Sequence, residues 1–329
     1  LVKNATESRR YLLSNLVRMS KRILLAAPRG FCAGVERAIE IVERAIEKFG
    51  APVYVRHEIV HNKHVVNELR EKGAVFVDVL DEVPSGANVI FSAHGVPESV
   101  FAVAASRGLN VIDAACPLVK KVHFSVKRHA SQGKIVVLIG HKGHPEVVGT
   151  MGQLPEGSVY LVGSPEEARA LRLPEGQACS YTTQTTLSVD ETREIIEALR
   201  ERYPDISGPA KGDLCYATTN RQSAVRGMAP EVDVLLVIGS RSSSNTTRLR
   251  ELGAKLGIAS YLLDEASEAD PSWFAEAKTI GITSGASAPE SLVQGLVERI
   301  QELHPGTTVE TWQGIAENVH FPIPRELAD

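Results

Sequence analysis

The chain has 329 residues, enough for two or three domains and for a hydrophobic core that needs no disulfide staple. Its 36 Lys and Arg against 40 Asp and Glu leave a net charge of −4, so no global positive field draws in nucleic acid or an anionic membrane surface. With 43% hydrophobic and 23% charged residues the composition is that of an ordinary globular protein, and no apolar run approaches the ~20 residues that cross a bilayer.

Residues 1–20 carry arginines and serines with a single acid, Glu7, and no secretory apolar core. They read as an N-terminal extension, with Met19 a plausible start, and a targeting peptide is not expected. From Lys21 onward short β-branched runs alternate with longer segments of helical period, which predicts an α/β fold with mostly parallel sheets. A strand over 23–26 leads through a glycine-containing loop to a helix with Val35, Ala38, Ile39, Val42, Ile46 and Phe49 on one face, closed by Gly50. A strand over 53–56 precedes a helix around Val65, Val66 and Leu69 that stops at Gly73. Further strands are expected over 89–91, 111–113, 135–139, 159–162, 178–181, 234–238, 259–262 and 279–282, nearly all followed by a helix.

In parallel sheets the loops beyond the carboxyl ends of the strands bind ligands. Here those loops are rich in hydroxyl, amide and imidazole groups. His61, His94 and His144 lie in them, as do Ser243, Ser244, Asn245 and Ser287. At helix N-termini such donors make a cradle for an anion. Neither GxxxxGK[ST] nor a GxGxxG after a strand is present, so the anion expected is a compact phosphate or diphosphate and not a nucleotide cofactor. Glu146 is either a proton donor or an ordinary first-turn glutamate. Ser188 with Glu191 predicts a capping box, which leaves the threonine run at 182–186, including Thr185, unexplained.

Four cysteines, at 32, 116, 179 and 215, are too few for a disulfide framework, and a reducing, cytoplasmic compartment is expected. Any one of them reads equally well as a small buried hydrophobe, and Cys179, inside a strand, is taken as a core thiol. Cys32, Cys116 and Cys215 each sit at a loop-to-helix junction, which suggests a threefold internal repeat. Without a CxxC pair a zinc ribbon is not expected, whereas thiolates from distant segments can hold zinc or an iron-sulfur centre. Three thiolates on a cubane would leave one iron open as a Lewis acid. The expected organisation is an extension at 1–20, α/β domains at 21–116, 117–212 and 213–301, and a tail at 302–329 packing back on the body.

The phrases PRGFCAGVERAI, YVRHEIVHN, FSAHGVPE, DAACPLVKKVH, GHKGHPEVVGTMGQ, TQTTLSVDET, CYATTNRQ, GSRSSSNTTRL and TSGASAPESLVQ resemble the 4-hydroxy-3-methylbut-2-enyl diphosphate reductase family, iron-sulfur enzymes of the last step of the non-mevalonate isoprenoid pathway. The resemblance runs from about Lys21 to the end. It implies three pseudo-symmetric α/β domains around a 4Fe-4S cluster held by Cys32, Cys116 and Cys215, whose unique iron binds the substrate's C4 oxygen. It also implies a diphosphate bound by His61, His94, His144, Ser243, Ser244, Asn245 and Ser287, and proton delivery by Glu146 oriented by Thr185, with His144 assisting and Thr218 and Asn220 in support. The implied reaction is reductive dehydroxylation to isopentenyl and dimethylallyl diphosphate. As the chain carries no flavin or nicotinamide motif, a separate ferredoxin or flavodoxin is the expected electron donor. Two other readings stay open at this point: a non-catalytic phosphate-ligand binding protein with structural cysteines, and a zinc hydrolase with Glu146 as base.

Overall fold

The computed structural model describes residues 21–328. In chain order its strands are β1 (Arg22–Ala26), β2 (Val53–Arg56), β3 (Ala74–Val77), β4 (Asn88–Phe91), β5 (Asn110–Asp113), β6 (Ile135–Ile139), β7 (Val159–Val162), β8 (Cys179–Thr183), β9 (Val234–Ile238), β10 (Ala259–Leu263), β11 (Thr279–Ser284) and β12 (Thr308–Trp312). The helices are α1 (Ala33–Phe49), α2 (Lys63–Glu71), α3 (Glu98–Ser106), α4 (Pro117–Ser131), α5 (Pro145–Met151), α6 (Pro165–Ala170), α7 (Val189–Arg202), α8 (Tyr216–Met228), α9 (Ser244–Lys255) and α10 (Glu290–Leu303).

The strands form three wholly parallel sheets, in the orders β3-β2-β4-β5, β7-β6-β8 and β10-β9-β11-β1-β12. Each is covered by amphipathic helices. On α1 the residues Val35, Ala38, Ile41, Val42 and Ala45 are buried at helical spacing, and Gly50 ends the helix with a positive φ while its N–H bonds to Ile46 O. Helices α4 and α5 start with proline, whose missing N–H is no loss in a first turn. Among the described residues no helix is long and apolar enough to cross a membrane.

The chain order reverses between β2 and β4 and between β6 and β8 in the two smaller sheets, and between β9 and β11 in the five-stranded sheet, where the insertion of β1 between β11 and β12 adds further reversals. A crevice opens at such a reversal because the connections on its two sides leave in opposite directions. The loops after β2 and β4 carry His61 and His94. The loops and following helix starts after β6 and β8 carry His144, Glu146 and Thr185, and those after β9 and β11 carry Ser243, Ser244, Asn245 and Ser287.

Three details differ from the sequence reading. Strand β1, grouped there with residues 21–116, lies in the five-stranded sheet between β11 and β12, with Leu25 opposite Ile282 and Thr311. Its near-continuous apolar run, buried from Ile23 to Ala26, suits a central parallel strand. Strands β3 and β12 had no separate signal, β3 because it follows the helix-ending Gly73 at once and β12 because it is a largely exposed edge strand. Ser188 caps α7 through the Glu191 N–H, whereas the Glu191 carboxylate turns to Arg248 and Lys255. Cys179 packs in the core of the three-stranded unit.

After β12 the chain crosses to the four-stranded unit. Arg37 donates to Pro322 O, Lys48 to Glu326 O, and Leu327 joins the core that lies under α1.

Candidate active site

Cys32, Cys116 and Cys215 are the residues immediately before α1, α4 and α8, and all three occupy the N-cap position. Each sulfur therefore sits at the positive end of a helix dipole, which favours a thiolate. All three line one cavity between the three units, together with the seven cradle residues, Glu146 and Thr185.

On the sulfur side burial dominates. It pushes the Cys116 thiol up to about 11 and the Cys215 thiol up to about 12, with repulsion from the neighbouring thiols adding to both, and it raises Cys32 as well. Thr218 opposes this at Cys215, with its N–H donating to the sulfur and its hydroxyl 3.0 Å away. Gly34 keeps the space between two sulfurs open: a Cβ there would stand 2.8 Å from Cys116 Sγ and 3.8 Å from Cys32 Sγ.

Two arrangements around the sulfurs could not be read from sequence. Tyr216 lines the cavity, and its oxygen accepts the Ala33 N–H at the start of α1, tying the third cysteine's helix to the first's. Arg221 is fully buried and donates to Gly30 O, Ala217 O and both oxygens of Glu317 in the tail. Asn220 bonds to the same carboxylate, and Phe321, four residues further on, lines the cavity. An arginine six residues beyond a cysteine and a glutamate in a proline-flanked tail carry no local signal that they meet.

Across the cavity three imidazoles converge, with ring centroids of His61 and His94 4.1 Å apart and His144 5.6 Å and 6.0 Å from them. Burial, aided by mutual repulsion, holds His94 well below the usual imidazole range and His144 at about 4. The Glu146 N–H donates to His144 Nδ1, so the neutral ring carries its proton on Nε2. His61 Nε2 and both amide atoms of Asn245 are buried without a protein partner, a costly state that a bound anion relieves. Ser243 caps α9, whose first N–H groups add to the cradle. Ser244 and Ser287 instead donate to Thr186 O and His61 O, so in this conformation their hydroxyls join the units to one another.

Glu146 lies between these halves, 2% exposed. Its carboxylate accepts from Thr185 N at 2.7 Å and from Thr185 Oγ1 at 2.9 Å. Burial outweighs both bonds and pushes its pKa up to about 7. It is not a surface first-turn glutamate. The neighbouring threonines have structural tasks, since Thr182 Oγ1 and Thr183 N both donate to the buried Asp213 carboxylate in the loop before Cys215.

Fold and cavity together define a three-sheet parallel α/β protein that sets three thiols at helix starts against three imidazoles and a helix N-terminus, with a buried carboxyl between them. The chain belongs to the LytB protein family, whose model matches residues 23–301. It is 58% identical over 307 residues to the 4-hydroxy-3-methylbut-2-enyl diphosphate reductase of Aromatoleum aromaticum, covering 93% of this chain and 98% of that one. It is likewise 58% identical to the reductase of the same name from Tolumonas auensis, over 93% and 99% of the two chains. Among solved structures, the E-1-hydroxy-2-methyl-but-2-enyl-4-diphosphate reductase from Plasmodium falciparum superposes with a TM-score of 0.91 at 37% identity, covering 94% of this chain and 97% of that one. A second solved structure, (E)-4-hydroxy-3-methyl-but-2-enyl diphosphate reductase, aligns with a TM-score of 0.61 at 35% identity over 86% and 99% of the two chains. The family resemblance and the fold class expected from the motifs are thus met.

Proposed function

We propose that the chain is a reductase of (E)-4-hydroxy-3-methylbut-2-enyl diphosphate, giving isopentenyl and dimethylallyl diphosphate, and that Cys32, Cys116 and Cys215 hold a 4Fe-4S cluster. The residues fit such a group. Three buried thiols become thiolates only beside a cationic centre, and the missing Cβ at Gly34 leaves room between two of the sulfurs. Bound there, the cluster supplies electrons and an iron without a protein thiolate that polarises the C4 hydroxyl oxygen.

The protein's own groups do the rest. His61, His94, His144, Ser243 and Asn245, with the N-terminus of α9, hold the diphosphate, which takes no part in bond breaking and serves to fix the reacting end. Ser244 and Ser287 can join them by exchanging their present backbone acceptors. Overall the alcohol takes up two electrons and two protons, its C–O bond becomes a C–H bond, and water leaves. Hydroxide is a poor leaving group, and Glu146 supplies the proton that lets it depart as water. Thr185 aims the carboxyl. A simple binding protein would have no use for such a group, and the observation that carries the enzymatic reading is this buried acid with a pKa of about 7 between the thiols and the cradle. The electron donor is proposed to be a separate ferredoxin- or flavodoxin-type protein.

The test is anaerobic reconstitution with iron and sulfide, then turnover of the hydroxylated diphosphate with a one-electron reductant. Glu146→Gln is expected to lower kcat by about 10²–10⁴-fold while leaving diphosphate affinity nearly unchanged. Wild-type kcat is expected to fall as the pH rises through 7, because a raised carboxyl pKa keeps the acid protonated only below it. A loaded protein that gives no product would overturn the reading.

A further inference from the structure

Behind two of the cysteines the surface carries a groove distinct from the active-site cavity. Pro117, next to Cys116, and Asp213, two residues before Cys215, line it together with Lys121, Phe124, Arg128 and Lys211. Phe124 is 69% exposed, the most exposed of the large hydrophobic side chains among the described residues. Arg128 and Lys211 are exposed, and among the described residues neither has a carboxylate partner. The single carboxylate in the groove, Asp213, is fully buried and already engaged by Lys121 at 3.4 Å and by Thr182. The same Lys121 donates to Gly212 O, so the helix after Cys116 and the loop before Cys215 are clamped together as the groove's floor. An aromatic centre with an unneutralised basic rim is the make-up of a protein-docking face for an acidic partner.

The position fits electron entry. Phe124 lies eight residues along α4 from Cys116, about 12 Å at 1.5 Å per residue, and the groove floor adjoins Cys116 itself. The approach to Cys32, by contrast, is covered by the tail through Arg221–Glu317 and Arg37–Pro322.

We propose that this groove docks a small acidic one-electron carrier protein, its carboxylates meeting Arg128 and Lys211 and its apolar surface packing on Phe124. The proposal rests on the reductase reading above. Two reduced carriers each give up one electron and leave oxidised, which supplies the two electrons that the dehydroxylation consumes.

The experiment uses the reconstituted full chain with an acidic 2Fe-2S ferredoxin in one arm and dithionite-reduced methyl viologen in the other. The double variant Arg128→Glu/Lys211→Glu is expected to raise the KM for reduced ferredoxin by about tenfold or more and to weaken binding of oxidised ferredoxin, seen by NMR line broadening, to a similar degree. Viologen-driven turnover and Tm are expected to match wild type. Phe124→Ala should weaken binding without altering salt dependence. Wild-type ferredoxin turnover is expected to fall between about 20 and 300 mM KCl, and the double variant's to stay flat. Unchanged ferredoxin binding and KM in the double variant would overturn the proposal, as would sedimentation showing that Phe124→Ala merely dissociates a dimer of this chain. Wild-type protein that turns over with neither reductant would instead remove the reductase reading, and the docking face with it.

Discussion

The two ends of the cavity are built from opposite chemistry by one physical device. At the sulfur end burial drives Cys116 and Cys215 up to about 11 and about 12, and at the cradle end it drives His144 down to about 4. Desolvation disfavours whichever form is charged, so acids and bases both become neutral. The free cavity therefore carries little charge, although it is lined by groups that can become thiolates at one end and imidazolium at the other. The guests proposed for the two ends are of opposite sign, a cationic cluster and an anionic diphosphate. The supports of the two ends differ as well. The sulfur end is locked by a buried arginine and by Thr218, whose N–H donates to the Cys215 sulfur, whereas the cradle end keeps polar atoms unpaired and lends two serines to bonds between the units.

That contrast can be broken most forcefully at Arg221. Removing one partner of a buried ion pair leaves the other uncompensated, at about 3–5 kcal/mol. Arg221→Met is accordingly expected to destabilise the cluster-free protein by that amount in urea unfolding, with Glu317→Gln costing less because the amide oxygen and the Gly30 and Ala217 carbonyls still accept from the buried guanidinium. Pyrophosphate binding by the molecules that stay folded should be unaffected, since neither residue belongs to the cradle. A loss of pyrophosphate affinity in the molecules that stay folded would show that the two ends are one cooperative unit.

Gly34→Ala attacks the sulfur end without loosening the protein. Alanine favours a helix over glycine by about 1 kcal/mol, yet its Cβ would intrude on Cys116 Sγ at 2.8 Å. Overpacking of this kind costs about 1–3 kcal/mol, which corresponds to roughly 5- to 150-fold weaker retention of iron against a chelator. Without the cluster the Cys116 thiol, the free end of its side chain, can rotate away from the new Cβ, so Tm of the cluster-free protein is expected to stay level or rise. Equal iron content in the variant and the wild type would mean that the sulfurs have room to part.

How far these features were legible depended on whether they are local. Thiols at helix starts, histidines after strands and a Ser-Ser-Asn turn before α9 all lie within a few residues of the element that positions them, and period and turn chemistry place them correctly. Strand β1 was grouped with residues 21–116 yet pairs with β11 and β12, because its own residues specify a buried strand but not its neighbours. The Arg221–Glu317 pair and the Phe321 wall depend on where a tail lands almost a hundred residues later. Glu146 is the intermediate case. Its position after His-Pro was readable, but its acidity depends on burial and on Thr185, which arrives from another strand.

The smallest expected effect is also the most direct comparison of the two ends, because it reads a proton. In the free cavity His94 and His144 are held below their ordinary range by burial and by one another, so at pH 7 both are neutral. A bound diphosphate favours imidazolium and raises both, so binding takes up protons. Uptake is expected to grow as the pH falls from 8 towards 6, closing on the window between the low free-state pKa values and the higher bound-state ones, and affinity should strengthen in the same direction. Titration of inorganic pyrophosphate in buffers of different ionisation enthalpy measures it as a fraction of a proton per site. The ligand's own protonation cancels when His144→Gln is titrated beside the wild type, and the difference is assigned to the cradle. Equal uptake in both proteins would move the proton to another group, Glu146 first, since an anion nearby would push its pKa still higher. The same titration on cluster-free Cys116→Ser should give the wild-type value, because its altered end contributes no group that titrates between pH 6 and 8.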